Sequence, residues 1–136
     1  MTYRIICDDS DRCIMWVKNN FCNVVAESIG IGLEKNGKLV AVSTFGMYNG
    51  QSMIQHIAVM AGERLTRAAI WFVFYYAFIQ IGVNVLITMI NTDNEKSLRI
   101  AKHIGYKPVS RIDGSGLIIM TLHKSDCNWL QKKVRL

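Results

Sequence analysis

A short turn before the longest apolar run of the chain has the composition of an anion-binding site. Thr66 is a typical helix N-cap, and the apolar run after it predicts a helix. The first backbone N–H groups of a helix lack internal partners and lie at the positive end of its dipole, where phosphate binds well. Arg64 and Arg67 would add charge-assisted contacts, and the small Ala68 and Ala69 would allow close approach. The alternative is a plain capped helix with two solvated arginines.

The net charge of the chain is concentrated in the half that contains this turn. Residues 1–62 hold five basic and five acidic side chains, whereas residues 63–136 hold eleven basic and five acidic ones. The formal charge of +6 therefore belongs entirely to the second half. A basic surface in that half favours an anionic ligand or partner.

His56 is the best candidate for a group that transfers protons. Its unperturbed pKa near 6.5 suits proton transfer at neutral pH. It lies within residues 53–59, which alternate as a strand does, so a hydrogen-bonded histidine of a sheet is the alternative. Glu27, Glu34 and Glu63 are weaker candidates for the same role.

The four cysteines show no pattern that indicates metal binding or catalysis. Cys7, Cys13, Cys22 and Cys127 contain no C-x-x-C pair and no zinc-like spacing with the histidines. We therefore expect reduced, mostly buried thiols and no metal site. No cysteine has the basic, paired setting that a covalent intermediate requires.

The composition is typical of one globular domain. Apolar residues make up 51% of the 136 residues and charged residues 19%, which excludes a disordered chain. The longest apolar run, residues 68–79, is too short for a membrane-spanning helix. The first residues contain too short an apolar stretch for a secretory signal, so we expect a cytoplasmic domain without a membrane partner.

Hydrophobic periodicity and turn residues predict a mixed α+β architecture. Two Asn-Gly pairs, at residues 36–37 and 49–50, predict hairpin turns that join three antiparallel strands. Asp113-Gly114 predicts a third turn, and residues 22–27 are ambiguous. The predicted elements are strands at 3–6, 29–34, 39–45, 53–59, 84–90, 109–112 and 117–123, and helices after residue 10, at 66–81 and at 94–103. The expected fold is an antiparallel meander followed by a β-α-β crossover into the same sheet.

Two segments carry a resemblance to a known family. The stretch Val59-Met-Ala-Gly-Glu-Arg64-Leu-Thr-Arg67-Ala-Ala69 is similar to Q/R-x-x-G-x-G/A, with Arg67 in the place of the first glycine. The stretch Asn94-Glu-Lys-Ser97-Leu-Arg-Ile-Ala101-Lys-His-Ile-Gly105-Tyr106 is similar to N-x-x-A-x-x-x-Y-x-x-x-G-F. Both motifs belong to the GNAT-type, acetyl-coenzyme A-dependent N-acetyltransferases.

The resemblance covers residues 28–123 of a single GNAT-like domain and leaves 124–136 as a basic tail. It implies a mixed central sheet flanked by helices, with the antiparallel meander and the β-α-β crossover in that one sheet. The segments 65–67 and 74–78 look closest to short GNAT-like proteins of tailed phages. GNAT proteins often dimerise, and the C-terminal strands are the expected surface for a homodimer.

The resemblance also assigns roles to particular residues. It implies transfer of an acetyl group from acetyl-CoA directly to a primary amine, with His56 as the base. A backbone N–H of Ala58 or Val59 would stabilise the negative charge that develops on the carbonyl oxygen. The residues expected to contact acetyl-CoA are Val59, Arg64, Thr66, Arg67, Ala68, Ala69, Asn91, Asn94 and Ser97. For Asn94, helix capping is an equally good explanation.

Two alternatives to the enzyme remain open at the level of sequence. Ala101 occupies the position where relatives carry the tyrosine that acts as general acid, and Arg67 replaces a motif glycine. These substitutions favour a non-catalytic GNAT-like module, such as a phage structural or host-interaction protein. A nucleic-acid binder has little support, because the basic tail is better explained as a solvated terminus and the aromatic residues 71–78 as a core helix.

Overall fold

Seven strands form one mixed sheet, with helices on both of its faces. The computed structural model describes residues 2–131. The sheet order is β1-β2-β3-β4-β5-β7-β6. The strands are β1 (Tyr3–Ile6), β2 (Ile29–Lys35), β3 (Lys38–Gly46), β4 (Ser52–Val59), β5 (Val85–Asn91), β6 (Lys107–Ile112) and β7 (Leu117–His123), and the helices are α1 (Ser10–Asn20), α2 (Arg67–Tyr75) and α3 (Glu95–Ile104). The predicted α+β architecture and meander are confirmed.

The strand turns form where the Asn-Gly pairs predict them. Asn36 and Gly37 have φ angles of 54° and 84°, the left-handed conformation that joins β2 to β3 in a tight hairpin. At the second turn, the Asn49 side chain accepts hydrogen bonds from the backbone N–H groups of Gln51 and Ser52. Both turns are therefore determined by local chemistry.

The parallel pairing between β4 and β5 is short. Ser52–Ile54 pairs with Val85–Ile87, and the two strands separate beyond those residues. β5 instead continues along β7 over its whole length, Val85–Asn91, in antiparallel register. The second half of β4 therefore has β3 on one side and an opening on the other.

The two faces of the sheet are covered by different helices. Val42 and Ala58 pack with Cys13 and Val17 of α1, and we call this side the α1 face. Gly32 permits the close approach of α1, because a Cβ atom there would lie 2.8 Å from the Cys13 Sγ. The opposite side, the α2/α3 face, holds the largest core cluster. Its members include Met53, Phe74, Leu86 and Ile104.

The long central helix differs from its prediction in its last turns. The N-cap at Thr66 and the stop at Gly82 are as expected, and Gly82 has a φ of 86°. Between them, α2 ends at Tyr75 and a π-helical segment, Tyr76–Ile81, follows. π-Helical turns cannot be recognised from hydrophobic periodicity alone, because an apolar helix buried on most sides shows little of it.

Two further expectations are wrong in part. We expected the strand at 84–90 to be covered on both faces, but Met89 is 43% exposed, because the chain leaves the α1 side of β5 open there. We expected mostly buried thiols, but Cys7 and Cys22 are exposed while Cys13 and Cys127 are buried. Burial raises the pKa of the Cys13 thiol to about 11.

The chain after β7 folds back into the core. Two short 3-10 turns, Lys124–Asp126 and Asn128–Gln131, place Cys127 and Trp129 in the cluster that also holds the end of α3. The rest of the predicted basic tail, residues 132–136, lies outside the described residues. Within residues 2–131, no helix is both long and apolar enough to cross a membrane.

Candidate functional site

The opening between β4 and β5 forms a cleft of about 110 Å³, which we call the strand cleft. Gln55, Ile57 and Thr88 line it from the α2/α3 face, whereas His56 and Met89 line it from the α1 face. Because successive strand residues point to opposite faces, a lining by both sets means that the cleft passes through the sheet. A ligand could therefore extend from one face to the other.

Four predicted site residues meet in the strand cleft. His56 of β4, Asn91 of β5, and Asn94 and Ser97 at the start of α3 all line it. The Asn94 side chain accepts a hydrogen bond of 3.2 Å from the Ser97 backbone N–H, so it caps α3. Capping fixes the first turn of the helix against the cleft.

Sequence reasoning missed a buried polar network at the point where β5 leaves β4. The Tyr106 hydroxyl donates to the Gln55 Oε1, and the Gln55 Nε2 donates to the Ser43 Oγ at 3.0 Å. Gln55 is 1% exposed, and burial raises the pKa of Tyr106 well above its usual value. A glutamine that alternates with the apolar Met53 and Ile57 on one side of a strand was the available indication. The network ties β3, β4 and the segment that follows α3 together at the cleft.

This network predicts a measurable stability effect. Tyr106→Phe keeps the ring but removes the donor for a buried Gln55 oxygen, which costs about 1–3 kcal/mol. We expect a urea unfolding curve to show that loss in the free energy of unfolding. Tyr48→Phe is the matched control, since Tyr48 is 58% exposed and should change little. Equal stability of the two variants would mean that the hydrogen bond does not hold the cleft.

His56 has a suitable environment for a base. The imidazole is half-buried, lies opposite Thr44 of β3, and hydrogen-bonds no other residue in the part of the chain that the structure describes. The alternative of a hydrogen-bonded sheet histidine is therefore not what the structure shows. Burial lowers the pKa of His56 below 6.5, because the charged form loses solvation. The neutral imidazole, which can accept a proton, thus predominates at neutral pH.

The register of β4 distinguishes the two amides predicted to stabilise negative charge. The Met60 N–H donates to the Val40 carbonyl at 2.8 Å, and antiparallel pairs alternate between bonded and non-bonded positions. The Ala58 N–H therefore points to β3, as the Met60 N–H does. The amides of Val59 and Ile57 point to the side that β5 has left. The geometry thus disfavours Ala58, keeps Val59, and adds Ile57, which the sequence did not single out.

A second cleft of about 390 Å³, the basic cleft, lies between the loop before α2 and α3. Val59 and Arg64, both predicted, line it together with Lys96, Arg99 and His103 of α3, which sequence reasoning missed. The spacing of three and four residues between these α3 side chains places them on one helix face and was the available indication. The cleft concentrates positive charge beside the start of α2.

Among the described residues, one acid lines the basic cleft, and its charge is neutralised by a lysine. Glu63 forms an ion pair with Lys35 of β2, at 3.2 Å between the Lys35 Nζ and a Glu63 carboxylate oxygen. Because Glu63 is paired with Lys35, no other acid in the described lining is available to pair with Arg64, Lys96 or Arg99. The cleft is therefore suited to an anion.

The start of α2 presents two free backbone donors. Thr66 Oγ1 accepts the Ala69 N–H at 3.1 Å, and the Ala69 methyl is buried against the core. The N–H groups of Arg67 and Ala68 have no acceptor within residues 2–131. Of the predicted cradle, Arg67 and Ala68 thus keep their amides free, whereas the Ala69 amide is occupied.

The replacement of a motif glycine by Arg67 does not strain the backbone. Arg67 has a helical conformation, so the position needs no glycine. The left-handed residue of this loop is Gly62, with a φ of 80°. The Arg67 side chain is exposed and lies outside the linings of both clefts, so Arg64 is the better placed of the two arginines.

Structures of known proteins share this arrangement of strands and helices. YncA from Salmonella typhimurium, solved with its cofactor acetyl-CoA, has a TM-score of 0.70 at 15% identity, covering 90% of this chain and 94% of that one. A spermidine N-acetyltransferase SpeG mutant from Vibrio cholerae has a TM-score of 0.70 at 15% identity, covering 95% of each chain. The N-acetyltransferase PseH of Campylobacter jejuni in complex with acetyl coenzyme A has a TM-score of 0.61 at 13% identity, covering 74% of this chain and 70% of that one.

No protein-family model and no curated protein sequence matches the chain. These three structures are 13% to 15% identical to the chain, so they establish its fold and not its activity. A special likeness to phage proteins stays a prediction. The seven-stranded mixed sheet with helices on both faces is the GNAT fold.

Proposed function

We propose that this chain is an acetyl-CoA-dependent N-acetyltransferase that moves an acetyl group directly to a primary amine. The observation that carries the proposal is the strand cleft, in which the split of β4 from β5 brings His56 together with Asn91, Asn94 and Ser97. Similar structures that hold acetyl-CoA support it, because they share the fold. The basic cleft beside the strand cleft completes a binding site for a long anionic molecule.

The residues present fit the parts of acetyl-CoA. The free amides of Arg67 and Ala68, with Arg64 and the α3 cations, suit its diphosphate. The unpaired β4 amides of Ile57 and Val59 suit the amide-bearing pantetheine arm and the thioester carbonyl. When bound, acetyl-CoA supplies a thioester whose acetyl carbon bonds to the amine nitrogen as the carbon–sulfur bond breaks and the thiolate leaves.

The chain itself contributes proton removal and electrostatic stabilisation. His56 accepts the proton that the amine loses, either directly or through a water molecule. The fixed amide donors of β4 stabilise the charge that develops on the carbonyl oxygen. Tyr106 is a poor acid, because its hydroxyl already donates to Gln55 and its pKa is raised. We propose that solvent returns a proton to the leaving thiolate, since Ala101 offers none.

The competing proposal is a non-catalytic protein with the same fold. Ala101 in place of a tyrosine favours it, and the four residues that meet in the strand cleft oppose it. Calorimetric titration with acetyl-CoA separates the two. Absence of binding at millimolar ligand would exclude the enzyme and leave the non-catalytic module.

The basic cleft gives a second test of cofactor binding. Arg64→Ala should weaken acetyl-CoA binding by about 10- to 100-fold, because a charge-assisted hydrogen bond contributes about 1.5–3 kcal/mol. The loss should shrink as salt is raised, since salt screens the wild-type interaction. Arg4→Ala is the control, because Arg4 is exposed on β1. If both variants bind equally well at every salt concentration, the phosphates bind elsewhere.

A further inference from the structure

The α1 face of the sheet continues beyond α1 as an apolar strip beside His56. The register places Ile54 next to Ile87, and Met89 opposite Ile119, all on this face. Met89 is 43% exposed and lines the strand cleft together with His56, so the strip is continuous with the cleft. The three isoleucines, Ile54, Ile87 and Ile119, are partly exposed. This is the side from which an acceptor would meet His56.

The loop before β2 forms a wall of the same strip. A Cβ atom on Gly46 would lie 2.7 Å from the Ser28 Oγ and 3.6 Å from the Val25 Cβ, so the loop rests directly on β3 at this point. Gly46 pairs with Ile54 of β4, and Val25 is 47% exposed. His56 and Ile54 therefore lie on a floor between the loop and β5. Val25 gives the wall an exposed apolar side chain, as the partly exposed Ile54 does for the floor.

In residues 2–131, the floor of this strip contains no carboxylate. Within the described residues, no Asp or Glu lies on the α1 face of β3, β4, β5 or β7. Glu27 is an exposed acid on the loop that forms the wall. The acids of residues 8–11 belong to the start of α1, which is fixed over β2 by a bond from the Gly30 N–H to the Ser10 Oγ. Among the described residues near this strip, Glu27 is therefore one candidate partner for the several positive charges of a polyamine.

From this chemistry we propose that the acceptor is a primary monoamine attached to an uncharged aliphatic or aromatic body. The amine nitrogen lies at His56, and the body packs on Ile54, Ile87 and Met89. A polyamine is a poor substrate, because its further ammonium groups would lose hydration against apolar side chains without gaining carboxylate partners. The inference rests on the proposed function and adds a substrate class to it. It separates this chain from the spermidine N-acetyltransferases whose fold it shares.

A homologous series of amines tests the proposal. Acetyl-CoA binding is first measured by calorimetry, and kcat/KM is then measured for n-propylamine through n-octylamine, phenethylamine and spermidine. We expect kcat/KM to rise roughly fourfold for each methylene that the strip buries, and spermidine to rank below n-octylamine. A chain that binds acetyl-CoA but prefers spermidine, or shows no dependence on chain length, overturns this inference alone. Failure to bind acetyl-CoA overturns the proposed function as well.

Two variants locate the effect on the strip. Met89→Gln keeps the side-chain length at an exposed position but adds a polar amide, and it should lower kcat/KM for n-octylamine about tenfold more than kcat/KM for n-propylamine. Ile112→Gln is the matched control, because Ile112 is 42% exposed on the outer strand β6. Equal effects on both amines would overturn the proposal. The proposal would also be overturned if sedimentation showed a dimer that Met89→Gln dissociates, because a second copy of the chain would then cover the strip.

Discussion

Replacing His56 with glutamine is expected to lower kcat by about 10²- to 10⁴-fold, the usual contribution of a general base. Glutamine is close in size and can still hydrogen-bond, but it cannot accept a proton at neutral pH. The affinity for acetyl-CoA should change little, because His56 lies on the α1 side of the strand cleft and away from the basic cleft. Steady-state kinetics and calorimetry on the same preparations measure both quantities.

The pH profile makes this prediction specific to proton transfer. Since burial lowers the pKa of His56, the active neutral form persists below pH 6.5 and is lost only as pH falls through the lowered value. The ratio of wild-type to variant kcat/KM should therefore be constant at neutral pH and fall on the acid side with the titration of one proton. Using the ratio cancels the protonation of the amine substrate, which is common to both proteins.

A matched histidine variant controls for nonspecific effects. His123→Gln removes an exposed imidazole at the end of β7 and should leave both kcat and the acid limb unchanged. Turnover by His56→Gln at the wild-type rate would exclude His56 as the base. One of the glutamates considered above would then have to be tested in its place.

Replacing Trp129 with alanine is expected to lower the free energy of unfolding by about 3–5 kcal/mol. The indole is 7% exposed in the core cluster, and its Nε1 donates to the Ile104 carbonyl at 2.9 Å, at the end of α3. The substitution removes a large buried side chain and leaves that carbonyl without the indole donor. Urea or thermal unfolding measures the loss.

A second substitution separates packing from hydrogen bonding at this position. Trp129→Phe keeps most of the apolar volume and should cost about 1–3 kcal/mol, less than the alanine variant. Because α3 contributes residues to both clefts, Trp129→Ala should also weaken acetyl-CoA binding at temperatures where the protein remains folded. A stability equal to that of the wild type would show that the segment after β7 does not anchor α3.

Local chemistry made several features predictable. Asn36-Gly37 forms a tight hairpin because its two residues tolerate positive φ, and the Thr66 and Asn94 side chains cap the helices that follow them. Such interactions join residues at most a few positions apart, so they can be predicted from short stretches of sequence. The same holds for the stop at Gly82.

Features that depend on distant pairing were predicted less well. Gln55 and Tyr106 are 51 residues apart, and nothing near either residue indicates that they share a hydrogen bond. The direction of the Ala58 N–H depends on which residue of β3 it pairs with, and that pairing is set by the register of the two strands. Coverage of β5 was misjudged, because an apolar run shows that a strand is hydrophobic but not which of its faces a helix covers.

Sequence patterns alone predict the order and type of the elements, their caps and turns, and a set of candidate residues, because each of these depends on local conformational preference and periodicity. Tertiary structure alone decided that β4 and β5 part after Ile54, that Lys96 and Arg99 join Arg64 around one cleft, and that His56 opens onto an apolar strip. Hydrophobic burial is non-directional, so an apolar pattern is compatible with several packings. The packing that forms is selected by contacts between distant segments, and those contacts place the candidate residues in one site.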